Sequence, residues 1–66
     1  GASTKEDIIE MMRDIVSNPP PTVKKMKSGK ISSQEILTEL NRRLAENGEK
    51  PIALKTVNNY RHEANI

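Results

Sequence analysis

The chain contains no cysteine, phenylalanine or tryptophan, and Tyr60 is its single aromatic residue. Without cysteine there is neither a disulfide staple nor a thiolate zinc site, and His62, the one histidine, cannot build a metal centre alone. With a single ring there is no platform on which successive bases could stack, which argues against modules for single-stranded nucleic acid. No apolar run reaches the length that crosses a bilayer, and no signal peptide is visible. The expectation is a cytoplasmic, nucleoid-associated chain that uses no cofactor. Sixty-six residues make one small domain whose buried fraction is low, so a deep catalytic pocket is not expected. Neither a nucleophile-base pair nor a phosphate-binding loop is present, and the chain does not read as an enzyme.

What is present is helical patterning. Ile8, Ile9, Met11, Met12, Ile15 and Val16 recur at spacings of three, four and seven and predict a first helix from Thr4 to about Ser17. Ser3 with Glu6, or Thr4 with Asp7, can cap it, and Pro19-Pro20-Pro21 must end it. Residues 22 to 28 read as a short helix opened by Thr22 and closed by Gly29, or else as a lysine-bearing loop. Ser32 to Glu35 matches a capping box, followed by Ile36, Leu37, Leu40 and Leu44, so residues 33 to 46 form a helix stopped at Asn47-Gly48. A last helix covers about 54 to 63. No segment alternates with a period of two, and the expected fold is an all-α, helix-turn-helix bundle of three to four helices. Its expected core is Ile9, Met12, Ile15, Val16, Ile36, Leu40, Leu44, Ile52, Val57 and Tyr60.

Charge is unevenly distributed. Glu6, Asp7, Glu10 and Asp14 lie early, whereas Lys24, Lys25, Lys27, Lys30, Arg42, Arg43, Lys50, Lys55 and Arg61 follow Pro19, against Glu35, Glu39, Glu46, Glu49 and Glu63. The later elements therefore suit a phosphate-rich partner. At about 100° per residue, Ala53, Val57, Tyr60 and Ala64 make one stripe of the last helix, and Lys55, Asn58, Asn59 and His62 fall on the other side. Asn pairs bidentately with adenine and Lys reaches guanine acceptors, which makes the outward set suited to the edges of bases in the major groove. Lys55, Asn58, Asn59 and His62 are the base-contact candidates, with Thr56 for a thymine methyl or a phosphate. Lys24, Lys25, Lys27, Lys30, Ser33, Gln34, Tyr60 and Arg61 are the phosphate candidates. Arg42 and Arg43 read equally well as cations at a helix carboxyl end. The rival from another class is a protein-interaction bundle using Met11, Met12, Val23 and Met26 as an adaptable patch.

The stretch Ala53-Leu54-Lys55-Thr56-Val57-Asn58-Asn59-Tyr60-Arg61-His62, ending at Ile66, resembles the carboxyl-terminal promoter-binding domain of bacterial sigma-54 factors, whose signature runs Ala-Arg-Arg-Thr-Val-Ala-Lys-Tyr-Arg-Glu after an extended turn. The Ile-rich first helix, the proline link and Ile31-Ser32-Ser33-Gln34-Glu35-Ile36 fit the same pattern. The resemblance implies double-stranded DNA as partner, with RNA polymerase or other subunits engaged through the rest of a larger protein. Leu54 and Lys55 stand where that family carries its guanine-reading arginines, and the helix from Ser32 runs about one turn longer before Gly48. The family's target sequence is therefore not implied. Lys55 to Arg61 is also similar to the recognition helix of LuxR/NarL-type regulators, although the short turn that precedes it there is missing. Gly1-Ala2-Ser3 looks like the scar of a cleaved expression tag, and residues 4 to 66 read as an excised DNA-binding domain.

Overall fold

The computed structural model describes residues 3–66, so Gly1 and Ala2 of the scar-like segment lie outside the described residues. The described residues form three helices, α1 (Lys5–Ser17), α2 (Ser33–Glu46) and α3 (Leu54–Ala64). Each helix packs against the other two, and the fold is an all-α bundle.

Local signals place the helix ends. Of the two possible caps on α1, Thr4 and Asp7 form the reciprocal box: Thr4 N–H donates to Asp7 Oδ2 at 3.0 Å and Asp7 N–H to Thr4 Oγ1 at 3.2 Å. The box expected at Ser32 is only half formed. Glu35 N–H donates to Ser32 Oγ at 3.3 Å, but the Glu35 carboxylate turns away and accepts from the backbone N–H of Lys24 at 2.8 Å. It thus ties the preceding loop to α2. At its other end α2 stops where Gly48, at φ +72°, takes the left-handed conformation. The amides of Gly48 and Glu49 then close onto Ala45 O and Leu44 O at 3.0 and 2.8 Å, satisfying carbonyls that the helix leaves open.

Residues 22–28 are not the short helix that their Thr and Gly boundaries suggested. A turn brings Val23 N–H to Pro20 O at 3.0 Å, and the chain then folds as a lysine-bearing hairpin loop. Lys25 and Ile31 form an isolated antiparallel bridge, and Met26 N–H donates to Lys30 O at 2.7 Å. Gly29, at φ +86°, makes the reversal. Three consecutive prolines followed by too few apolar residues for one helical stripe cannot nucleate a helix, whereas seating one isoleucine gives the hairpin an anchor. That anchor is Ile31, which is buried.

The core consists of Ile8, Met12, Ile15, Ile31, Ile36, Leu40, Leu44 and Val57. Six of the ten expected core residues, Met12, Ile15, Ile36, Leu40, Leu44 and Val57, are fully buried. Val16, Ile52 and Tyr60 are half-buried at its edge, and so is Ile9, because α1 turns Ile8 inward and leaves its neighbour about 100° away on the flank. Met12 is sealed in the core, so the patch expected from Met11, Met12, Val23 and Met26 does not exist as a surface.

One carboxylate is buried with this core. Glu39 is 3% exposed and accepts from Arg42 Nε and Nη2 at 3.0 and 2.7 Å and from Arg43 Nε at 2.8 Å. Arg42 also pairs with Glu46, and Arg43 Nη1 reaches Asp14 Oδ2 on α1 at 2.9 Å. The Arg42 bonds, reinforced by Arg43 and opposed by burial, pull the Glu39 carboxyl from 4.5 down to about 2. Both arginines are therefore committed to the frame of α2.

Candidate nucleic-acid interface

The placement of α3 begins with the residues that precede it. Asn41, on α2, holds the backbone of Ile52 at both ends: Ile52 N–H donates to Asn41 Oδ1 at 2.9 Å, and Asn41 Nδ2 donates to Ile52 O at 3.1 Å. The linker is latched to α2 just before Ala53 begins the last helix without any side-chain cap. Sequence reasoning passed over Asn41, since an asparagine within a helical stripe carries no periodic signal. We expect Asn41→Ala to lose about 1–2 kcal/mol, because two half-buried backbone groups lose their partners. For a domain of this size that is a fall in Tm of roughly 4–16 °C, measurable by thermal denaturation together with faster exchange of the Ile52 amide.

The side chain of Val57 is fully buried and anchors α3. Opposite it, Lys55, Asn58, Asn59 and His62 are all exposed, and among the described residues none of the four makes a side-chain hydrogen bond or ion pair. Thr56 is half-buried to one side. Leu54 is 40% exposed at the start of the helix, an apolar group beside the polar face that the comparison with arginine-bearing signatures had set aside. Thymine methyls are its natural contact in a major groove.

The two flanks of α3 differ. On one, Tyr60 is half-buried against the core beneath Lys5, whose Nζ lies 5.6 Å from the ring centroid and pairs with Glu63 at 2.5 Å. Tyr60 thus packs beside an ion pair rather than among the hairpin cations. On the other flank Arg61 Nη1 donates to Ser33 Oγ at 2.9 Å and its Nε to the backbone oxygen of Ile66 at 3.4 Å. Two phosphate candidates distant in sequence, Ser33 and Arg61, therefore meet where α2 begins. Gln34 is exposed one residue on, its amide 3.5 Å from Thr38 Oγ1.

All four hairpin lysines are exposed. Lys25 and Lys30 line a cleft together with Arg61, whereas Lys24 and Lys27 do not. The structure thus brings together Lys25, Lys30, Ser33 and Arg61 beside an outward row of Lys55, Asn58, Asn59 and His62. It leaves Tyr60 on the opposite flank. Comparison with protein-family models, with curated proteins and with solved structures finds no match to this chain.

Proposed function

We propose that this chain is a non-catalytic, sequence-specific binder of double-stranded DNA, acting as a helix-turn-helix module of a larger transcription or DNA-transaction protein. One observation carries the reading: the four side chains on α3 best suited to base edges are exposed together and unpaired, while the opposite side of the same helix is sealed into the core. In this reading α3 enters the major groove and α2 braces the backbone with Ser33 and Gln34 at its amino end. Lys55, Asn58, Asn59 and His62 address base edges, Leu54 and Thr56 address methyl groups or the backbone, and the hairpin lysines supply affinity common to all sequences. The likeness of the last helix to sigma-54 and LuxR/NarL recognition helices supports the same reading without fixing a family.

A protein-interaction module is the second reading, favoured by a cleft of about 650 Å³ at the other end of the bundle, lined by Ile8, Leu44, Pro51 and Ile52 among others. Salt separates the two. With four to six phosphate contacts, binding to a mixed-sequence duplex falls by roughly two to three powers of ten between 50 and 200 mM salt, whereas an apolar interface hardly responds. Fluorescence anisotropy at the two concentrations measures this directly, and a flat response would remove DNA as the partner. In the same assay Lys27→Ala weakens specific and scrambled duplexes by one and the same small factor.

A further inference from the structure

The cleft beside the end of α3 has a charge pattern unlike the rest of the molecule. Lys5 is matched to Glu63, Arg42 to Glu39 and Glu46, and Arg43 to Glu39 and Asp14. In the cleft, Lys25 and Lys30 of the hairpin meet Arg61 of α3 over a floor that includes Val16 and Ile31, and no acidic side chain lines it. Its volume is about 420 Å³. Three cations drawn together without a carboxylate repel one another, and an anion seated among them relieves that repulsion.

The cradle is built before any ligand arrives. The Lys25–Ile31 bridge and the bond from Met26 N–H to Lys30 O fix the two lysines on facing arms of the hairpin, and buried Ile31 fastens those arms to the core. Ser33 orients the Arg61 guanidinium from the other side. Of the five N–H groups of an arginine, two are used by Ser33 and Ile66, and three remain to address oxygens in the fork geometry that suits phosphate.

We infer that this cleft is a dedicated seat for one phosphodiester of the DNA backbone, with Arg61 as the fork and Lys25 and Lys30 as flanking charges. The assignment rests on the DNA-binding reading and sharpens it, since Arg61 lies on the flank of α3 that also carries Asn58. A groove occupied by the outward row of α3 sets one strand's backbone against this flank. The hairpin then fixes where along the groove α3 sits, and the contact is local rather than a diffuse attraction to lysines.

Two double variants that remove the same charge test this: Lys25→Gln/Lys30→Gln inside the cleft and Lys24→Gln/Lys27→Gln outside it, each measured against a mixed-sequence duplex at 100 mM salt. The cleft pair is expected to weaken binding about tenfold or more and to lower the salt slope by about 2, and the outer pair to weaken it less than about threefold, with unchanged circular dichroism. Arg61→Lys, which keeps the charge and loses the fork, adds a loss of several-fold. Equal losses for the two pairs, or none for the cleft pair, overturn the seat while DNA binding stands. Displacement of the duplex by poly-glutamate at equal charge concentration overturns the phosphodiester assignment. A wild-type chain that binds no duplex overturns both the seat and the function beneath it.

Discussion

The Lys55→Ala/Asn59→Ala variant is expected to bind the preferred duplex some hundred- to thousandfold more weakly than the wild-type chain, with a much smaller loss on a scrambled duplex. Each good contact to a base edge discriminates by about 1–3 kcal/mol, and each 1.4 kcal/mol is tenfold in affinity, so two such contacts span this range. Non-specific binding loses only the single cation of Lys55, about one unit of salt slope. The contrast between the two duplexes therefore reports sequence reading rather than charge. Folding is not at stake. Both residues are exposed on α3 without side-chain partners, and alanine is the better helix former at both positions, so stability should change by no more than about 0.5 kcal/mol. Selection from a randomised duplex pool supplies the preferred sequence for the wild-type chain, and titration of both duplexes with both proteins completes the comparison. If the variant loses equal affinity for selected and scrambled DNA, α3 does not read bases.

The second large effect concerns stability and pH. Glu39 has a folded-state pKa depressed to about 2, against 4.5 for the free side chain. A depressed carboxyl stabilises the fold in full above the unfolded value, and that contribution disappears as pH falls through the folded value. Between pH 7 and pH 3 the linkage amounts to about 2 kcal/mol. This is an upper figure, because Arg42 is 55% exposed and water screens its share. A domain of this length has a total stability of roughly 3–10 kcal/mol, so the loss is a large part of the whole. Glu39→Gln should be less stable than wild type by about 2 kcal/mol at pH 7, since two guanidinium groups lose their shared carboxylate. Near pH 3 that difference should have largely vanished. Urea denaturation of both proteins at the two pH values gives the double difference, which cancels the contribution of every other carboxylate. Parallel pH profiles would show that Glu39 is not the acid-sensitive group.

Legibility differed from element to element. The bounds of α2 and the start of α1 could be read from Ser32, Gly48 and Thr4, whose chemistry acts on amides only a few residues away. Helical periodicity separated Val57 from Lys55 and Asn59 correctly, because burying one side of a short helix is set by its own spacing. Within α1 the same signal was too broad, since six apolar residues allow more than one inward direction and only the packing of α2 and α3 selects Ile8 over Ile9. Glu39 looked like a solvated helix residue. Its burial follows from two arginines that cover it, one of them held from α1 by Asp14.

The amino-acid sequence by itself determined an all-α chain, the positions of its three long helices and the polar outer row of the last one, because caps, prolines and apolar spacing act over one or two turns. Only the tertiary structure decided that residues 22–28 fold as a hairpin, that Glu35 serves Lys24 rather than its own helix end, that Asn41 latches Ile52, and that Lys25, Lys30, Ser33 and Arg61 share one flank. Those contacts join groups 11 to 36 positions apart. Their formation depends on how the helices pack, which no local spacing encodes.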